Sequence, residues 1–283
     1  MYEAILLLIK VVLSGVLGLF FVGVMRKLAA RFQHRIGPPL WQPFLDVIKL
    51  FAKERVNSKR ACPYLLWGPI ISLSAYLSVV AILPLGELPG LDFHGSVIYI
   101  IYLMLMGVAG YVIAGFASRN PYSTIGGGRE LIQAFGFEAP FIIALLVPTF
   151  STLKIFPSYF YSYPFAFIAF LIAIQGELAL PPFHIAHAEQ ELVAGVYTEL
   201  SGYLLGIFEL AHGLKVFALS SLVTTLFLGG GSFGIFLLKC FGVVCILTLM
   251  RSIFARFRIE QSLKLFWFGA TPLALIDLAR VII

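Results

Sequence analysis

Six side chains that can take up or release a proton, or carry charge in doing so, stand between Gly176 and Gly202: Glu177, His184, His187, Glu189, Glu191 and Glu199. A Pro181-Pro182 break lies near the start of this stretch, and long apolar segments flank it. Ionisable groups at or near membrane depth are expensive to keep, so their clustering points to function rather than packing. In the next apolar segment Glu209, His212 and Lys215 follow at i, i+3 spacing, which lines them along adjacent turns of a helix surface. Glu138 lies in an earlier apolar segment. Groups that each hold and release a proton, set in series through apolar helices, are the sequence form of a proton relay. The competing reading is internal ion pairing, Glu209 with Lys215 or Asp277 with Arg280. Pairing is the preferred reading for Asp277 and Arg280, and proton handling for Glu138, Glu177, Glu199, Glu209 and His212.

Other chemistries find less support. His184 and His187 are three residues apart with Glu189 and Glu191 beyond, which on a helix makes half of a metal site. A lone HxxH is a weak signal, and hydrogen-bonded loop groups or proton carriers are favoured, since a histidine titrates near neutral pH. Cys62, Cys240 and Cys245 are scattered, with no CxxC and no Cys/His ligand spacing, which argues against an iron–sulfur, haem or structural zinc site. Gly126-Gly127-Gly128-Arg129-Glu130 lacks the GxxxxGK[ST] pattern and follows no strand, so it reads as a flexible loop entering a helix rather than a phosphate cradle.

The elements that must position these groups are membrane helices. The 283 residues are 60% apolar and 12% charged, where globular domains carry about 25% charged residues, and mean hydropathy is +0.97. The apolar runs are long and unbroken rather than alternating, so helices are expected and not a barrel. Eight spans are expected: Ala4–Met25, Tyr64–Pro84, Ser96–Phe116, Leu131–Phe150, Pro164–Ala179, Val196–Ser220, Ser232–Phe254 and Leu263–Ile283. Together they form a single polytopic, all-α membrane domain over residues 1–283, with no soluble domain between spans. The first apolar run is preceded by Glu3 and followed by positive charge, the wrong order for a signal peptide.

Charge gives the orientation. The loop after the first span holds Arg26, Lys27, Arg31, Arg35, Lys49, Lys53, Arg55, Lys59 and Arg60; the loop after the third holds Arg119 and Arg129; the loop after the seventh holds Arg251, Arg256, Arg258 and Lys264. The alternate loops hold only Lys154. The positive-inside rule then places both termini outside and the odd-numbered loops in the cytoplasm. The net charge of +6 reports this topology rather than nucleic-acid binding. The third cytoplasmic loop, with the acids and histidines, has no Lys or Arg; it is expected to face protein or a cavity rather than lipid headgroups. In the first loop, Pro43 suits the first turn of a helix, and Phe44, Val47, Ile48 and Phe51 recur at helical spacing opposite Asp46, Lys49 and Lys53. This reads as an amphipathic surface helix. No tandem or inverted repeat is evident.

Five blocks of the sequence resemble the H-subunit family of NADH:quinone oxidoreductase (complex I) and its relatives in energy-converting, membrane-bound nickel–iron hydrogenases. They are Arg35-Ile-Gly37-Pro38-Pro39 with Gln42, Pro43, Asp46, Lys49 and Lys53; Ser118 to Tyr122 with Gly126, Arg129, Gln133 and Glu138; Glu177 with Pro182-Phe183 and Ala188 to Gly195; Thr198-Glu199 with Ser201-Gly202; and Arg251 to Arg258. Gly37-Pro38-Pro39 is followed almost at once by Gln42-Pro43, the shorter form of the hydrogenase branch, which includes formate hydrogenlyases and a sulfur-reducing sister complex. The family pattern is departed from in two ways: the usual Arg before the Pro-Phe is Leu180, and the Asp and Glu of its PFDxxEAE are His184 and His187. The first departure weakens the expectation of a quinone site.

The resemblance implies a membrane-anchor and coupling subunit of a respiratory-type complex, with no catalytic or redox centre in this chain. Implied partners are hydrogenase-like small and large peripheral subunits, which would carry iron–sulfur clusters and a nickel–iron centre, together with antiporter-like membrane subunits and the lipid bilayer. Arg35, Gly37, Pro38, Gln42, Pro43, Asp46, Lys49, Lys53 and Arg129 would dock the peripheral arm. Pro182, Phe183, His184 and His187 would form a coupling loop, and Glu138, Glu177, Glu189, Glu191, Glu199, Glu209, His212 and Lys215 a relay that links electron transfer to proton or sodium translocation. The alternatives are a quinone-site subunit of a complex I-like oxidoreductase, which expects a quinone-sized pocket at the Gly176–Gly202 loop, and a stand-alone ion transporter, against which the missing repeat counts.

Overall fold

The computed structural model describes residues 2–56, 62–91, 93–150, 153–155 and 157–282. Lys59 and Arg60 of the first basic loop, and the last residue of the eighth expected span, lie outside the described residues. In chain order the helices are α1 (Tyr2–Phe32), α2 (Gln42–Ala52), α3 (Trp67–Ile82), α4 (Ser96–Ala117), α5 (Pro121–Thr149), α6 (Pro164–Glu177), α7 (Glu189–Leu192), α8 (Tyr203–Phe227), α9 (Phe233–Ile253), α10 (Ile259–Lys264) and α11 (Thr271–Ile282). A π-helical turn, Leu265–Ala270, joins α10 to α11.

Seven of these units are long and apolar enough to cross a bilayer: α1, α3, α4, α5, α8, α9 and the joined α10–α11. Among the described residues the only β-pairings are isolated bridges, so the protein is an all-α integral membrane protein. The fifth expected span is α6, which has 14 residues. At 1.5 Å per residue that is about 21 Å, short of the ~30 Å hydrocarbon core. Its start, Pro164 at the first turn, has no side-chain cap of its own. Asp277 of α11 supplies one: buried, it accepts the Ala166 N–H at 2.8 Å and pairs with Arg280 at 3.1 Å. A carboxylate at a helix N-terminus satisfies a free N–H and meets the positive end of the helix dipole. The expected Asp277–Arg280 pairing is therefore present, with a capping role added.

The bundle is organised around α8. Of its most apolar window 89% is buried, against 33% for α1 and 22% for the α10–α11 unit, which turn one side outward. Close approach to α1 needs Gly18, where a Cβ would stand 2.3 Å from the Gly213 carbonyl oxygen.

Three expectations are corrected. The Gly126-Gly127-Gly128 run lies inside α5, not in a flexible loop. Asn120 caps that helix by accepting the Tyr122 N–H at 3.0 Å, and a Cβ on Gly126 would come within 3.0 Å of the Gly195 Cα; Gly126 serves close packing, which the sequence cannot distinguish from looseness. The sixth span begins at Tyr203 rather than Val196, because Gly202 is at φ +58 and residues 195–197 form a separate 3-10 turn. Lastly, α2 is amphipathic as expected, with Pro43 and Val47 buried and Ile48 and Phe51 outward, but Asp46 does not share the outer face of Lys49 and Lys53. Asp46 faces the bundle instead, where Arg26 of α1 takes it at 2.9 Å and Gln42 donates to it at 3.0 Å. This charged contact is invisible to hydrophobic periodicity.

Candidate functional site

A cavity of about 880 Å³ opens where the irregular segment between α6 and α8 folds over the bundle. The segment is fastened by its backbone. Gln133 of α5 donates to the Phe183 carbonyl at 2.7 Å and the Gly176 carbonyl at 3.3 Å. Gln175 donates to the Pro181 carbonyl at 2.7 Å, and the Phe257 N–H to the Pro182 carbonyl at 2.9 Å. Phe183 is buried among Phe137, Phe257 and Phe266, stacking on Phe266 at 4.5 Å; the π-helical turn carries Phe266. Two non-glycine residues in the segment have positive φ, Ala179 at 48° and Val193 at 62°. Such backbone costs on the order of 1–3 kcal/mol per residue and persists where the surroundings hold it. Pro182 and Phe183 thus anchor the loop, while its other residues shape the cavity.

The cavity collects most of the expected relay. Glu177 from the end of α6, His184, His187 and Glu189 from the loop, and Glu209, His212 and Lys215 from α8 all line it. The pairing differs from expectation. Lys215 meets Glu177, with Nζ 2.9 Å from Oε1 and both side chains nearly fully buried; the contact is an ion pair rather than an aligned hydrogen bond. The ammonium also lies 5.5 Å from the ring of Tyr76 and 5.7 Å from that of Tyr111, within cation–π range. Glu209 turns the other way, to Arg26 at 3.6 Å. Because Arg26 also holds Asp46, a single guanidinium links the cavity to α2.

Sequence reasoning missed Glu130, Arg26, Tyr111 and Tyr197, which line the cavity as well. Glu130 is buried, its Oε2 3.9 Å from the His187 Nε2. The His187 ring stacks on Tyr197 with centroids 4.7 Å apart. Glu130 was legible as an acid beside Arg129, but the reading of Gly126–Glu130 as a loop removed it from consideration; helical phase from Asn120 would have set it on the buried face. Burial lowers both loop histidines to pKa values of about 4, His184 further by its neighbour His187 and His187 further by Lys215. Both are neutral imidazoles at pH 7. Among the described residues no three His, Cys, Asp or Glu side chains converge on a common point.

The remaining expected residues lie outside the cavity lining. Glu191 is at the rim, bonded to Arg129 at 2.5 Å and to Arg256. The Arg129 hydrogen bond, then Arg256, hold its carboxyl below the usual range. The acidic loop lacks basic residues because α5 and the segment after α9 supply them. Arg129 is correspondingly engaged within the chain, and it also donates to the Ile185 carbonyl at 3.4 Å. Glu199 accepts from Asn120 at 2.6 Å, and its neighbour Ser201 holds both backbone groups of Val56. Glu138, on α5, is half-buried and an electrostatic neighbour of Glu177. Of the docking residues, Pro43, Asp46 and Gln42 fasten α2, Gly37 packs against Ala30 and Lys27, and Pro38 is half-buried. Arg35, Lys49 and Lys53 are exposed.

Comparison with known proteins agrees with this architecture along the whole chain. A family profile described as NADH dehydrogenase matches residues 3–282. The H subunit of the NADH-quinone oxidoreductase of Bacillus cytotoxicus is 33% identical over 297 aligned positions, covering 94% of this chain and 89% of the relative; its counterpart in Geobacillus kaustophilus matches to the same extent. Among solved structures, a chain of the membrane-bound sulfane sulfur reductase, an archaeal respiratory membrane complex, superposes with a TM-score of 0.91 at 27% identity, covering 99% of this chain and 100% of that one.

Proposed function

We propose, from the premise that this chain belongs to the NADH dehydrogenase family, that it is the membrane-anchor and coupling subunit of a respiratory-type complex. The observation that carries the reading is the buried Glu177–Lys215 pair in a cavity roofed by a fastened, strained loop. Carboxylates and an ammonium in a low-dielectric site titrate as a coupled set. A change of charge or position in the roof is therefore felt at the pair, and a shift of one pKa unit corresponds to ~1.4 kcal/mol.

In this reading the loops carrying Arg35, Lys49, Lys53 and the Pro182–Gly195 roof face the cytoplasm, both termini face outward, and the membrane is a prokaryotic plasma membrane. A peripheral arm of hydrogenase-like small and large subunits sits over those loops and carries the iron–sulfur clusters and the nickel–iron centre. Antiporter-like subunits adjoin the bundle laterally. Electron transfer in the arm perturbs Glu189, Glu191 and Glu199 at the rim. Glu177, Lys215, Glu209 and His212 respond, and Glu138 passes the change into the membrane arm, moving protons or sodium ions.

A second reading, a quinone-site subunit, draws support from the volume of the cavity and the names of the Bacillus and Geobacillus relatives. Leu180, on the cavity wall where the family pattern has Arg, weighs against it. Purification of the intact complex separates the two. The coupling reading expects hydrogenase-like peripheral subunits, and Glu177→Gln to abolish the ion gradient formed per electron in liposomes. An unchanged gradient would sink it. Quinone-dependent turnover, blocked by quinone-site inhibitors, would establish the second reading.

A further inference from the structure

The coupling reading leaves Glu130 without a task, although it is a buried acid facing His187 of the loop. Its side chain is only 4% exposed, and Oε2 has no hydrogen-bond partner among the described residues. The groups that face it come from every surrounding element: Tyr76 of α3, Tyr111 of α4, Glu177 of α6, Lys215 of α8, and His187 and Tyr197 of the roof. The only cation among them is Lys215, and it is engaged 2.9 Å from Glu177. Two carboxylates and one ammonium thus share one buried compartment. An uncompensated buried charge is strongly disfavoured, and closely coupled acids solve this by holding a proton between them.

We propose that Glu130 and His187 form a single-proton site joining the roof loop to the buried Glu177–Lys215 pair. The inference rests on the coupling reading and adds the group through which the loop acts. His187 Nε2 stands 3.9 Å from Glu130 Oε2, about 1 Å beyond hydrogen-bond reach, and Nδ1 has no partner among the described residues. A small inward movement of the roof closes the gap. The Oε2–H bond of Glu130 then breaks as an N–H bond forms at His187 Nε2. The imidazolium releases its Nδ1 proton toward the cavity, leaving a Glu130 carboxylate and a neutral His187 in the other tautomer. No electron changes hands in the step. The new carboxylate draws Lys215 away from Glu177, so the loop's movement reaches the membrane interior as a shift of charge.

The test uses the assembled complex in sealed liposomes. E130Q is expected to lower ions moved per electron about tenfold or more and to remove a protonated-carboxyl band from the redox-difference infrared spectrum. E130D is expected to keep the band and part of the ion movement, and H187Q to keep the band while lowering ion movement. Wild-type ion movement in E130Q, or persistence of the band in it, overturns the proposal. If E130Q does not assemble, H187Q decides, and a wild-type ratio there overturns it equally. E177Q separates the two levels: if it abolishes ion movement and E130Q does not, the one-proton site fails while the coupling reading stands. If neither has an effect, the coupling reading itself fails.

Discussion

Inside the cavity, Lys215 and Glu177 are 4% and 3% exposed and 2.9 Å apart. At its rim, Glu191 is 42% exposed and takes Arg129 on one side and Arg256 on the other. The two clusters use the same functional groups, in a poorly solvated interior and in water. Inside, water cannot screen a charge, so removing one partner strands the other at a cost of ~3–5 kcal/mol. Outside, an exposed pair contributes about 0–1 kcal/mol and fades with salt. The rim fastens the loop weakly and adjustably, whereas the interior registers every change of charge.

The sharpest test of this contrast is Lys215→Met. It leaves Glu177 buried and unpaired, and should lower stability by ~3–5 kcal/mol, read as a fall in melting temperature of the purified complex. The double variant Lys215→Met/Glu177→Gln should recover most of that stability and none of the ion movement. Equal melting of the single and double variants would break the contrast.

Next in size is the exposed face of the first loop. Charge reversal at Arg35 and Lys53 should release the peripheral arm from membranes, with the difference from wild type shrinking as rising ionic strength screens these exposed charges, and with little change in melting of the membrane subunit itself. Co-purification undiminished by both substitutions would remove these residues from the docking surface.

The loop histidines give a pH test. Their folded pKa values of about 4 lie below the ordinary 6.5. Their neutral burial therefore stabilises the roof fully above pH 6.5, and that contribution is lost as pH falls from 6.5 toward 4. Proteolytic or hydrogen-exchange opening of the loop should rise over that window, and His184→Gln should shallow the rise. An opening profile flat between pH 7 and 4 would contradict the burial.

Smallest of all is Glu191→Gln, expected to cost well under ~1 kcal/mol because the site is open to water. Its carboxyl is held low in the fold, so its contribution is present above the ordinary carboxylate range and lost as pH falls below it. A large destabilisation, or one insensitive to salt, would show that the rim is not the weak partner.

Relay and clasp were both partly legible in the chain. Glu177, His184, His187, Glu209, His212 and Lys215 stand out in sequence because charge is rare in apolar surroundings, and all of them line one cavity. What spacing could not give was partnership. Glu209 and Lys215 are near in sequence but pair with Arg26 of α1 and Glu177 of α6, because six residues along a helix point in different directions. Glu130 was hidden for a related reason: three glycines before it suggested a loop, whereas they lie inside α5, with Gly126 packed against Gly195.

The sequence alone determined the solvent and the architecture. Long apolar runs must satisfy their backbone hydrogen bonds internally, so they become helices. It also determined the membership of the acidic and histidine cluster and the lack of basic residues in its loop. Tertiary structure alone decided which charge meets which, that Asp46 of α2 faces Arg26 rather than the outer side of Lys49 and Lys53, and that Glu130 stands opposite His187. Apolar burial depends on each residue's own surface and leaves a periodic trace along the chain. An ion pair depends on two elements brought together across the fold, and neither partner records the other in its local sequence.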